Sequence, residues 1–282
     1  MRKILLFTFS LFAMLSISSC GVKTIYNQLD WYLPSIAEDF ISLDPSQQSS
    51  LEKSIAELLR WHRTTQLPQY AQALRKIRSD LNNGLSEEKA GMILTELERY
   101  WVDVLDRMAP DAAELLITAT ETQQQELKDS FAEKNEEYEE EYISVAEDER
   151  LENIVDDLTE NFERWLGPLT DEQKLIVVQG VNKFIPVHVE RLSYRKVWQS
   201  RLINAMEMKN TTQAKRDIIS LLSEPKKHRP QTLKDKLNIN RILSTRLFLE
   251  INNLMTAEQQ AHLNEEIEYY ATSFEELAKE TR

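Results

Sequence analysis

Two sets of arginines in this chain carry the side chains best suited to gripping a charged partner. Arg60, His62 and Arg63 lie in its first third with Arg75 nearby, and Arg191 and Arg195 stand one helical turn apart in its last third. A guanidinium presents a rigid fork of donors that matches a carboxylate or a phosphate. If these residues converge on a cleft they form an anion site. Otherwise they meet Asp30, Asp39 or Glu190 in partly buried ion pairs. Arg60, His62, Arg63, Arg191 and Arg195 are accordingly the candidate interaction or anion-binding residues. The tryptophans at 31, 61, 101, 165 and 198 read as core anchors rather than as a ligand cage, because large aromatic surfaces are normally spent on burial.

Other chemistry finds little footing. The four histidines, at 62, 188, 228 and 262, are scattered, and neither H-E-x-x-H nor paired E-x-x-H helices occur, so no metal is expected. His262 with Glu258 or Glu266 has the spacing of a surface pair on one helix. There is no G-x-S-x-G and no glycine-rich phosphate loop. Carboxylates are abundant, but abundance without a defined apolar pocket does not make an acid/base pair. The expectation is a protein with no catalytic residues and no cofactor.

Cys20 is the only cysteine, and it ends an export signal. Arg2 and Lys3 give a positive start, residues 4–17 an apolar run too short to span a bilayer comfortably, and Ile17-Ser18-Ser19-Cys20 resembles a lipobox. Residues 1–19 are then a signal peptide, and Cys20 takes a diacylglycerol on sulfur and a third acyl chain on its new amino group. Several chains anchor firmly, at roughly 0.8 kcal/mol per buried methylene. Gly21 follows, where the common inner-membrane retention signal has an aspartate, so the expected address is the outer membrane, facing the periplasm.

The mature chain would have 263 residues and a formal charge of −15, against −13 for the whole sequence. That balance argues against nucleic acid as a partner. The charge is also polarised. Residues 121–163 hold 17 acidic and 3 basic side chains, and residues 191–230 hold 10 basic and 3 acidic ones. Either two solvated faces partly complement each other, or one pole receives a charged partner.

The elements that must position these residues are helices. Glycine occurs five times, alternating β-branched runs are scarce, and apolar residues recur at three- and four-residue spacing, which predicts an all-α protein, an elongated bundle of roughly ten to twelve helices. The expected helices are 22–41, 45–66, 68–83, 87–108, 110–118, 121–148, 150–166, 171–184, 186–208, 212–223, 232–254 and 257–279, several of them bounded by prolines. Asn82-Asn83-Gly84 reads as a helix stop. Residues 20–282 form the mature helical domain, and the loop near 223–231 is either a boundary between two subdomains or a surface excursion within one. The acidic 121–163 segment carries an apolar stripe through Leu127, Phe131, Tyr138, Tyr142 and Val145, continued by Leu151, Ile154, Val155, Leu158, Phe162 and Trp165, so it is expected to be helical and docked on that face.

A short pattern recurs in Leu43-Asp44-Pro45-Ser46-Gln47, Leu169-Thr170-Asp171-Glu172-Gln173 and Met255-Thr256-Ala257-Glu258-Gln259, with weaker copies at 119–123 and 85–89. It has the chemistry of a helix start, a capping side chain answered by a glutamine three residues on. L-T-x-x-Q also resembles the motif of small periplasmic helical stress chaperones of the Spy and CpxP type. A broader resemblance rests on Cys20-Gly21, Tyr26-Asn27-Gln28-Leu29-Asp30-Trp31, Trp61-His62-Arg63 with Leu67-Pro68 and Tyr70, and Glu190-Arg191, Tyr194-Arg195, Trp198-Gln199. Together these are similar to the uncharacterised Gram-negative lipoproteins of domain-of-unknown-function family 6279, over nearly the whole mature chain. That resemblance implies an outer-membrane lipoprotein and carries no activity with it. The function expected is a protein-interaction, scaffolding or chaperone-like module with an envelope protein as partner. The alternative is a carrier or sensor of a small anionic or lipidic ligand.

Overall fold

The computed structural model describes residues 21–208 and 211–280, and among them every regular element is helical. Cys20 and the signal peptide lie outside the described residues. The order is α1 (Gly21–Tyr26), α2 (Leu29–Glu38), α3 (Pro45–Trp61), a π-helical turn (His62–Gln66), α4 (Leu67–Asn82), α5 (Glu87–Ile117), α6 (Glu121–Tyr142), α7 (Glu147–Leu166), α8 (Asp171–Val181), α9 (His188–Glu207), α10 (Thr212–Ser223), α11 (Gln231–Asn253) and α12 (Ala257–Lys279). No described helix is long and apolar enough to cross a membrane.

Four boundaries differ from the sequence expectation. The helix expected over 22–41 is broken at Asn27-Gln28, where Arg63 and Glu280 hold the Asn27 side chain and the Gln28 N–H turns to Ile25 O at 3.0 Å. Pro110 does not end a helix, because α5 runs through it for 31 residues. Its ring faces solvent, while Ala109 and Ala113 on the other side are fully buried, so packing on that side holds the helix across the missing N–H. Pro68 does not start a new helix either. The backbone widens to a π turn just before it, Leu67 N–H reaches His62 O, and Gln69 Nε2 donates to Thr65 O at 2.9 Å. The hydroxyls of Thr64 and Thr65 bond back to Arg60 O (2.9 Å) and Trp61 O (2.6 Å). Finally, the acidic helix stops at Tyr142 rather than 148, and α7 begins at Glu147.

Two apolar cores divide the chain in alternation. One gathers Leu81, Leu85, Ala90, Leu166, Leu169, Val177, Val181, Leu247, Ile251, Leu263 and Ile267. The other gathers Ile41, Ala113, Ala119, Leu127, Leu202, Ile203, Met206, Ile218 and Leu221. Helix α5, about 45 Å long at 1.5 Å per residue, has Ala90 in the first and Ala113 in the second. A smaller cluster of Val22, Tyr26, Leu67, Tyr270 and Leu277 joins the first helix to the last. As expected, α7 docks by its stripe of Leu151, Ile154, Val155, Leu158, Phe162 and Trp165 on the first core. Gly84 has φ 88°, the left-handed conformation of a helix stop.

Each core is keyed by a pair of the recurring helix starts. Asp44, Thr120, Thr170 and Thr256 all form capping boxes with the glutamine three residues later. The glutamines then pair with one another. Gln173 Nε2 donates to Gln259 Oε1 at 2.9 Å, and Gln259 Nε2 returns the bond to Gln173 Oε1 at 2.9 Å. Gln47 and Gln123 do the same at 3.2 and 2.6 Å. The second amide proton crosses to the partner's loop, from Gln173 to Leu254 O (3.3 Å), Gln259 to Pro168 O (2.9 Å) and Gln123 to Ser42 O (2.6 Å). Gln47 donates instead to the Thr118 hydroxyl at 3.4 Å. Every acceptor is two residues before the partner's capping residue, so each pair repeats one local two-fold pattern. Gln173 is fully buried with its amide satisfied on both sides.

Replacing one glutamine strands its partner in an apolar setting, which costs more than losing a cap. Gln173→Ala should destabilise the protein by about 2–4 kcal/mol, against about 1 kcal/mol for Thr170→Ala or Thr256→Ala. The double replacement of Gln173 and Gln259 should cost less than the sum, with a coupling of about 1–2 kcal/mol. Denaturant unfolding of the four proteins in this cycle measures it, and strict additivity would show that the paired amides are energetically independent.

Candidate functional site

The five residues proposed from sequence fall into two separate places. Arg63 is buried on the π turn. Its guanidinium donates to Glu280 Oε2 (3.0 Å), Leu277 O (3.4 Å) and Asn27 Oδ1 (3.0 Å), and it stands 5.0 Å from the Tyr26 ring centre. Asn27 also donates to Glu280 at 3.1 Å. His62 lies beside it, with Nδ1 2.9 Å from the Tyr26 hydroxyl and its ring stacked on Tyr26 at 5.8 Å. Tyr70 covers the imidazole edge-on at 5.4 Å and in turn meets Tyr100 and Phe274.

This first set is a latch. It fastens α1, the π turn and the end of α12 to one another, with the Arg63 guanidinium buried and spent on Glu280, Leu277 and Asn27. Arg60, exposed on the neighbouring turn, does not join it. The ion pairs foreseen for these arginines do form, but with carboxylates of the last helix and its end rather than with Asp30 or Asp39. Arg63 takes Glu280, and Arg75 takes Glu268 (2.9 Å) and Glu275.

The second set has the opposite character. His188, Arg191 and Arg195 occupy positions i, i+3 and i+7 of α9, one stripe facing α6. The two helices run antiparallel along a seam whose inner end is apolar, with Leu127 opposite the Leu202 region. Its middle is an amide pair, Asn135 Nδ2 to Gln199 Oε1 at 2.7 Å and the reverse bond at 3.3 Å. At the outer end His188 stacks on Tyr142 (5.4 Å, 7°) and its Nδ1 lies 3.3 Å from the Tyr138 hydroxyl. Arg195 is half-buried against Tyr138, and Arg191 is exposed beside it.

Arg229 completes this cluster from the turn after α10. That turn is fixed to α9 by the Tyr194 hydroxyl, which donates to Pro225 O at 2.7 Å, and to α5 by Lys226 and Glu98 at 2.9 Å. Arg191, Arg195 and Arg229 form no salt bridge with any described residue. Glu190, foreseen as a partner, is taken by Lys236 of α11. Desolvation pulls the Arg195 guanidinium below its ordinary range despite Tyr138 and Glu137 nearby. It does the same to Arg229, and the positive charge of Arg191 adds to the effect. Partly dehydrated guanidinium groups without a carboxylate are costly to hold and well disposed to an anion.

Sequence spacing identified Arg191 and Arg195, gave Tyr138 and Tyr142 only as members of an apolar stripe, and missed Arg229. The signal that points to Arg229 is the basic excess of residues 191–230. The acidic and basic poles do touch, through Lys128 and Glu207 (2.9 Å) and Lys196 and Glu139 (3.8 Å), but these contacts leave the three arginines out. Of the tryptophans, Trp165 and Trp198 pack against the cores as expected, with Trp198 Nε1 donating to Leu221 O at 3.0 Å. Trp31 does not, being 61% exposed.

Burial lowers both imidazoles, His62 with help from Arg63 and His188 with help from Arg191, each from 6.5 to about 4. The unfolded chain therefore binds more protons between those values. The stability these neutral rings confer is complete above about pH 6.5 and is lost as pH falls towards 4. Thermal melts from about pH 7 to about pH 4.5 should show a falling midpoint whose slope is reduced in His62→Gln. A midpoint flat across that range would mean both rings are solvated.

A family of unknown function, DUF6279, matches residues 39–233, a little over two thirds of the chain, with both the second arginine set and the π turn inside the matched span. No curated protein and no solved structure matches.

Proposed function

The chain belongs to the DUF6279 family, a membership that supplies no activity, and we propose that it is a lipid-anchored interaction module of the cell envelope. Cys20 carries the acyl chains and holds the body at the outer membrane, facing the periplasm. The partner is an envelope protein that presents acidic side chains to Arg191, Arg195 and Arg229.

The observation that carries this reading is the trio of arginines without salt bridges on a chain with a large acidic excess. By contrast Arg63, Arg75, Arg78, Arg241 and Arg246 each hold a carboxylate. The buried polar groups that key the cores satisfy one another and leave nothing over for chemistry. What remains available is a fixed, positively charged patch on a rigid helix, beside Tyr138 and Tyr194. Charged, partly desolvated and flanked by tyrosines, it suits a protein surface better than a free ion. The second reading, a small anionic ligand, draws on the half-burial of Arg195 against Tyr138.

A photoreactive residue at His228, exposed next to Arg229, in intact cells, followed by mass spectrometry of the adducts, separates the two. One recurrent envelope protein should be captured, and Arg191→Glu with Arg195→Gln should lower its yield at least about tenfold at unchanged thermal stability, given about 1.5–3 kcal/mol per charge-assisted bond. Binding of the purified pair should weaken with salt. Capture of unrelated neighbours alone, unaffected by the arginine changes, would remove the proposal. If no protein is captured and native mass spectrometry shows a retained small anion, the second reading takes its place.

The anchor has its own test. Cys20→Ala should lose the acyl mass and leave the membrane fraction, or stay attached only with its signal uncleaved. Unchanged mass and fractionation would dispose of the anchor.

A further inference from the structure

We infer that Trp31 lies in the membrane interface and orients the body on the lipid surface, an inference that rests on acylation of Cys20. Lipid anchors are commonly joined to a folded body through a flexible stretch that lets the body tumble. This chain leaves no room for one. The residue after Cys20 is already buried, Val22 and Tyr26 are built into the cluster with Leu67, Tyr270 and Leu277, and Lys23 pairs with Glu276. Asn27 at the end of α1 is held from two sides, by Arg63 and by Glu280. Acyl chains on Cys20 are thus one peptide bond away from a rigid domain.

That fixes which end of the protein meets the bilayer. Leu29, the first residue of α2, packs against the same cluster as Val22, so the start of α2 lies beside α1 at this end. Trp31 follows two residues later. Nine residues of helix and turn separate it from Gly21, a path of about 15–20 Å at most. It is 61% exposed, its ring has Tyr32 edge-on at 6.0 Å, and its backbone N–H is taken by Asp30 Oδ1 at 3.0 Å. Nothing in the fold uses the indole.

An indole has a large apolar face and one N–H, the combination that favours the headgroup layer over both water and hydrocarbon. Of the described residues within reach of the anchor, Trp31 alone is a large aromatic left mostly in water. The occupant that this position selects is a lipid surface, because a lipid surface is what the preceding residue is attached to. With two points of contact, the acyl chains and Trp31, the domain has a defined tilt. The arginine patch on α9 would then be presented in a constant direction.

The test uses the acylated protein in vesicles of phosphatidylethanolamine and phosphatidylglycerol, with and without lipids brominated near the headgroup. The emission that Trp31→Phe removes should be blue-shifted and strongly quenched by the brominated lipid, while the emission of the variant should be quenched little. Intact mass establishes acylation in each sample, so failure of the anchor is distinguished from failure of this inference. Acylated protein whose Trp31 emission matches that of the Cys20→Ala protein in buffer, and is unquenched, overturns the placement. So does shielding of Trp31 in cells but not in vesicles, which would assign it to a protein partner.

Discussion

Burying the start of a helix is expensive unless its free amides find partners, and this fold buries four of them at its two cores. The first backbone N–H groups of a helix have no acceptor within it. A threonine or aspartate cap and a returning glutamine answer two of them, but the glutamine then brings its own amide into an apolar region. Pairing the glutamines across two helix starts resolves this second demand, since each carboxamide has donors and an acceptor that the other complements. Gln173 with Gln259 and Gln47 with Gln123 therefore act as keys. They fix the register of loops that lie far apart in sequence, and they tolerate only glutamine-like geometry.

This arrangement explains why the chain shuttles between its cores. A pair of helix starts can meet only if the chain returns to the same end, and here the return takes 76 residues for one pair and 86 for the other. Residues between the two members of a pair must travel to the opposite core and back. The long α5 makes one of those crossings without interruption, which is why Pro110 is carried inside it. Close approach of α8 and α11 follows the same logic. A Cβ on Gly180 would fall 2.9 Å from the Leu247 side chain, so the smallest residue stands where the first core is tightest.

Helical class, the capping role of the recurring motif, the docked face of α7 and the stop at Gly84 were legible in the sequence, because each depends on residues near one another along the chain. The glutamine pairing was not, since local spacing does not say which helix start meets which. Proline misled for a related reason. Its cost is local, but burial of Ala109 and Ala113 and the π turn with its threonine hydroxyls lie in tertiary packing and backbone rearrangement. At the candidate site, residue type suggested that Arg63 and Arg195 were equivalent. Context separates them: Glu280 and Asn27 reach Arg63, and no carboxylate pairs with Arg195.

The contrast between those two arginines also bears on what kind of molecule this is. A protein that needed its positive charge only for stability would pair it internally, as the latch does. Leaving Arg191, Arg195 and Arg229 unpaired next to a strongly acidic helix requires geometry that holds the acids away. Helix α6 meets the stripe of α9 with tyrosines and an asparagine, while Glu136 and Glu140 are exposed, Glu139 pairs with Lys196 and Glu141 accepts from the Tyr142 hydroxyl. Of the carboxylates on that helix Glu137 acts on Arg195 through space, and none pairs with the three arginines. The seam preserves its charge by shape, and the repulsion between the acidic helix and any acidic partner confines that partner to the side of α9 where the arginines emerge.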